Sequence, residues 1–136
     1  MIRPLRAGVR GEAGTAVVEF VMISALVMGL LLAVLQVAVY VHVRNVVAAS
    51  AQEGARYAAN ADVDSGAGAA RTLDLVRSSL GGSTADGLQC GSAEEVDATG
   101  LVLVVVECTG AVPALFGALG DLLPVSATGR AIKEGQ

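Results

Sequence analysis

Few residues in this 136-residue chain have the type and spacing to do chemistry. His42 is the single histidine, which removes most acid–base triads. Nothing near it offers a second metal ligand, so it reads as an interfacial side chain beside Tyr40 rather than a ligand or proton carrier. Asp62 and Asp64, in "NADVDSGAG", lack the further oxygen ligands and closing acid of a calcium loop. Glu94 and Glu95 are adjacent in what reads as an acidic loop, a solvated pair rather than a catalytic one. "GAGAAR" (Gly66–Arg71) fails as a dinucleotide fingerprint, because Arg71 replaces the last glycine and no strand precedes it. No phosphate loop and no Gly-x-Ser-x-Gly elbow occurs. Cys90 and Cys108 are too far apart in sequence, and too short of partners, for zinc or thiol catalysis. The reading is of a chain that is not an enzyme, with no metal, no cofactor and no small-molecule substrate.

One group remains, and it is costly where it stands. Glu19 lies at the head of a long apolar run, four residues after Thr15. An ionisable side chain in a membrane span costs about 2.5–3.5 kcal/mol at the helix centre and less near an end. Glu19 can be merely interfacial, snorkelling to the near face. A different chemistry opens if the chain is cut between Gly14 and Thr15. Thr15 then carries a new amino terminus, and the carboxylate sits at the fifth position after the cut. Amine and carboxylate, one helical turn apart or on neighbouring subunits, neutralise each other where the alternative is a bare charge in low dielectric.

The element that must position Glu19 is the apolar run itself. Phe20–Leu35 has no charge and only Ser24 is polar; Gln36, Tyr40 and His42 are the polar groups up to Val43. The 24 residues Phe20–Val43 rise about 36 Å as a helix, enough for a hydrocarbon core of about 30 Å with some tilt. A secretory signal has a shorter apolar region and ends at a small-residue site that "VYVHVRNV" does not offer. Arg3, Arg6 and Arg10 precede the run, which predicts a cytoplasmic amino terminus and an extracytoplasmic remainder. From Arg44 onward there are six basic and eleven acidic residues, which argues against nucleic acid as a partner.

"GTAVVEF" (Gly14–Phe20) resembles the type IV prepilin processing site, with Gly before the cut, Glu at the fifth mature position and an aromatic after it. Thr15 departs from the residue usual in ordinary type IV pilins and is closer to the Flp/Tad branch. "SAQEGARYAANA" (Ser50–Ala61) resembles the A-x-E-G-A-R-x-A segment of TadE-like proteins, here carried by Glu53, Gly54, Ala55 and Arg56. The tail "LLPVSATGRAIKE" resembles the closing strand of that family less specifically. The chain thus looks like a TadE-like pseudopilin. The resemblance implies a prepilin peptidase, other pilin or pseudopilin subunits, an assembly platform and membrane lipid as its partners, and a pilus used for adhesion or secretion. A signal-anchored binding domain that keeps its leader, and a DNA-uptake minor pilin, are the rival readings.

Beyond the run, Val43, Val46, Val47, Ala51, Gly54, Ala55 and Ala58 form one helical stripe of small and β-branched residues. It suits a sheet of this chain better than another subunit's helix. Glu53 and Arg56, three apart, read as an exposed helical pair. "NADVDSGAG" ends the helix, and Ala69–Leu80 predicts a short helix with Leu73, Val76 and Leu80 on one face. "GGSTADG" reads as a loop and "LQC" as a short strand. Leu101–Cys108 is the clearest strand, and its continuous apolarity predicts a central one covered on both faces. "AVPALFGALGD" reads as a turn with a short helix or loop, and Leu122–Ile132 as the last strand. Cys90 and Cys108 are then either one disulfide or two buried thiols. The extracytoplasmic setting suits the bridge, which would contribute about 3 kcal/mol by closing its loop.

The expected fold is α+β. A basic leader spans residues 1–14, a transmembrane helix 15–43 and its extracytoplasmic continuation 44–61. A small domain with a short antiparallel sheet and one or two short helices occupies 62–136.

Overall fold

The computed structural model describes residues 12–113 and 122–135. Helix α1 runs unbroken from Glu12 to Ala59, followed by α2 (Ala67–Leu80), α3 (Gly82–Asp86), β1 (Leu88–Val96), β2 (Val102–Pro113) and β3 (Leu122–Ile132). The fold is α+β. The chain divides into two compact units between Leu35 and Gln36. In the first, residues 14–35 form a single helix whose side chains are exposed apart from half-buried Leu32. This helix is long and apolar enough to cross a membrane.

The second unit is a sheet with helices on one face. Its strands lie in the order β1-β2-β3, all antiparallel. Leu88, Cys90 and Ser92 of β1, Val104, Val106 and Cys108 of β2, and Val125, Ala127, Gly129 and Ala131 of β3 share the inner face by their alternation and register. Val43, Val47, Ala51 and Ala55 of α1 pack there with Val76, Ala85, Leu88, Val106, Cys108 and Val125. The small-residue stripe therefore covers the chain's own sheet. Small residues make this possible because the backbones almost touch. A Cβ on Gly129 would lie 2.2 Å from the carbonyl oxygen of Ala51, so β3 rests on the helix main chain. Gly54 meets α2 in the same way, with Thr72 Oγ1 2.0 Å and the Gly68 carbonyl 2.6 Å from where its Cβ would be. In α2, Val76 is fully buried, and Leu73 and Leu80 pack beside it, as their spacing predicts.

Four expectations change. "GGSTADG" holds the five-residue helix α3, begun after a sharp turn at Gly81 (φ 94°) and anchored by buried Ala85. "LQC" is only the start of a nine-residue strand, and Glu94 and Glu95 lie on it rather than in a loop, opposite Val104 and Leu103. Pairing with β2 extends β1 although its own residues are polar, since register comes from the partner strand and the turn. That turn, Asp97–Leu101, closes with Gly100 at φ 87° and Asp97 N–H donating to the Leu101 carbonyl. Strand β2 is central but is covered by helices on one face only, among the described residues. Val105, on the other face, is also buried and lies between Ala93 and Arg130 in register. Ala111–Pro113 extend β2, and the rest of "AVPALFGALGD" lies outside the described residues.

Candidate processing and assembly site

Helix α1 carries every residue of the candidate site. Gly14 and Thr15 lie close to Glu12, the first described residue of α1. Gly14, Thr15 and Glu19 are exposed, and a Cβ on Gly14 would meet nothing within 4 Å. Thr15 and Glu19 are four residues apart, about 6 Å along the axis and on the same side. Around and beyond them the helix presents an almost wholly apolar surface, with Val17, Phe20, Met22 and Leu26 each more than 60% exposed and Ser24 the one polar residue from Phe20 to Leu35. An uncovered apolar area of this extent marks a membrane or protein contact.

The second cluster, Glu53–Arg56, divides in two. Gly54 and Ala55 are buried in the contact with α2 and the sheet, whereas Glu53 and Arg56 are exposed. Gly54 and Ala55 thus serve packing, and only the two charges remain accessible. Downstream, Cys90 and Cys108 are joined by a disulfide between directly opposed residues of β1 and β2. Its inner-face position places it in the core with Val106 and Leu88.

Other sequence candidates have local structural roles. Asp64 accepts a hydrogen bond from Gly66 N–H at 2.8 Å, an Asx turn that leads into α2. Glu94 accepts one from Ser65 Oγ. His42 is exposed, while Tyr40 donates its hydroxyl to the Pro124 carbonyl at 3.0 Å. Among the described residues no group of three or more His, Cys, Asp or Glu gathers to hold a metal ion.

Three residues that fasten this unit were passed over in sequence. Gln52 pairs with Arg130 of β3 through both side-chain atoms. Lys133, the only lysine, reaches the carbonyls of Ala58 and Val63 and Ser65 Oγ at 2.8–3.1 Å. It places a cation on the carbonyl end of α1, where helix dipole and orphan acceptors favour one. Asp97 accepts bonds from Thr99 Oγ1, Thr99 N–H and Leu101 N–H, at 2.6, 2.7 and 3.0 Å. The Thr99 hydroxyl first, then the Leu101 amide, hold its carboxyl below the usual aspartate value. A lone lysine, in a chain whose other basic residues are all arginine, is the only sequence signal for any of these.

Residues 14–56 match the family described as TadE-like protein. Over this segment the N-terminal helix is similar to that family. The matched segment opens on Gly14, contains Thr15 and Glu19, and closes on Arg56. It therefore takes in the exposed apolar surface and the buried Gly54–Ala55 contact, and stops before α2 and the sheet. Searches of curated proteins and of solved structures find no match.

Proposed function

We propose that this TadE-like chain is a pseudopilin, a non-enzymatic structural or assembly component of a Flp/Tad-type pilus serving adhesion or secretion. The family match supports involvement in Tad pilus assembly. The observation that carries the finer reading is that Gly14, Thr15, Glu19 and Glu53–Arg56 all fall in the one TadE-like segment, on a helix left uncovered over residues 14–35. A prepilin peptidase cuts after Gly14. The new amine on Thr15 then neutralises a Glu19 carboxylate, in the same subunit or the next. The leader stays cytoplasmic, the helix anchors the chain in the cell membrane in a single pass, and the part of the chain beyond residue 43 is extracytoplasmic, a setting that suits its disulfide. Other pilin subunits and the assembly platform are its protein partners.

N-terminal sequencing of the protein purified from membranes tests this. The expected terminus is Thr15 in a host with an active prepilin peptidase. Met1 or Ile2 there sinks the processing step and favours a signal-anchored domain instead.

A further inference from the structure

Part of the α1 surface within the folded unit is apolar and uncovered. Val37 and Val41 are about one helical turn apart and are 62 and 47% exposed. The next positions on that side are Arg44 and Asn45, both exposed. The opposite side of the same turns is already in use. Gln36 and Val43 are buried, Val39 packs on the core, and Tyr40 is bonded to the Pro124 carbonyl. Residues 36–43 therefore have one side in the folded unit and an exposed side made of Val37, Ala38, Val41 and, at its outer end, His42.

We propose that the outer boundary of the bilayer lies at Val41–Arg44 and not at Leu35. The folded unit is then seated in the outer lipid interface, with a lipid surface as the partner of the Val37–Val41 side. This rests on the membrane-anchored reading above. Two further features agree with it. Phe20–Val41 is 22 residues, about 33 Å of helix, so this placement spans the hydrocarbon and leaves Glu19 at the inner edge. A span over Gly14–Leu35 has the same length but takes Glu19 about 7.5 Å inside and leaves Val37 and Val41 in water. Tyr40 and Arg44 also suit the headgroup layer, the first by its amphipathic ring and the second by its charge on a long stem.

The test uses the full chain reconstituted in phosphatidylcholine vesicles, with and without nitroxide-labelled lipid. An environment-sensitive fluorophore is placed on Val27→Cys, Val37→Cys, Val41→Cys and Thr128→Cys under non-reducing conditions, which keep the Cys90–Cys108 bridge. All four positions are exposed, so the substitutions do not enter the core. The labels at 27, 37 and 41 should be blue-shifted and lose most of their emission to the lipid quencher, while that at 128 keeps a water-like spectrum. Quenching at 27 with water-like emission at 37 and 41 overturns the inference and leaves the anchor intact. Blue-shifted labels at 37 and 41 that the lipid does not quench, and that revert on dilution into more lipid, assign this side to a second copy and overturn it too. No quenching at 27 removes the anchor itself, and the inference with it.

Discussion

Gln52 of α1 and Arg130 of β3 pair as two strands would. The Gln52 amide Nε2 donates to the Arg130 carbonyl at 2.7 Å, and its Oε1 accepts the Arg130 N–H at 3.2 Å. Arg130 is opposite Val105 in the β2–β3 ladder, and these are its outward-facing groups. A side chain on the helix thus closes part of a sheet edge that an exposed strand would otherwise offer to other chains. One residue away, Gly129 lets the two main chains meet.

The close approach of Gly54 to Thr72 and Gly68 of α2 sets the first prediction. Gly54→Ala puts a methyl where Thr72 Oγ1 and the Gly68 carbonyl already stand, and should destabilise the folded unit by about 1–3 kcal/mol. Glu53→Ala, on the exposed side of the same turn, should fall within about 0.5 kcal/mol of the parent. Thermal unfolding in detergent, followed by circular dichroism, compares the two. Equal midpoints would remove the packing role assigned to Gly54.

Reducing the disulfide should loosen the sheet. The bridge closes a separation of 18 residues, so its loss should cost about 3 kcal/mol in the chain-entropy picture. The double variant Cys90→Ala with Cys108→Ala should show a lowered unfolding midpoint that no longer responds to reductant. An unchanged midpoint in the reduced parent would show that the strands hold their register without it.

The β1–β2 turn should weaken in acid. The Asp97 carboxyl is held below its ordinary value of 3.8 by Thr99 and Leu101, so it is ionised in the fold under conditions that protonate it in the unfolded chain. Its contribution is complete above the unfolded value and is lost as pH falls from there through the folded one. Protection of the Thr99 and Leu101 amides, measured against the intrinsic exchange rate at each pH, should therefore fall at and below about pH 3.8 and stay level above it. Asp97→Asn retains an acceptor oxygen without a charge and should flatten that dependence. An acid response that persists in the variant would place its origin elsewhere.

Glu19 should matter for assembly and not for insertion. Glu19→Ala removes an ionisable group that costs up to about 3 kcal/mol in a span, so membrane insertion should be as good as the parent's or better. Pilus number, counted by electron microscopy in cells carrying the variant, should fall. Glu19→Asp restores the charge with a shorter reach and should recover part of it. Parental pilus numbers with alanine would end the assembly role.

Residues 12–59 were the most legible in sequence, for a physical reason. A helix that meets lipid on all sides must be apolar on all sides, and a helix that lies on a sheet must be small along one stripe. Both conditions are local and periodic, so Phe20–Leu35 and Val43–Ala58 carry them openly. Strand β2 announced itself in the same way through its run of β-branched residues. Glu19 too was visible, because a carboxylate beside an apolar run needs an explanation. What the tertiary structure decided depends on partners distant in sequence. Glu94 and Glu95 belong to a strand only because Val104 and Leu103 lie opposite them. Lys133 caps α1 only because β3 ends beside Ala58, 75 positions earlier. Gln36, Val39 and Val43 read as parts of the span, and folding gives one side of them to the domain, since hydropathy reports what a residue tolerates and not which surface reaches it first.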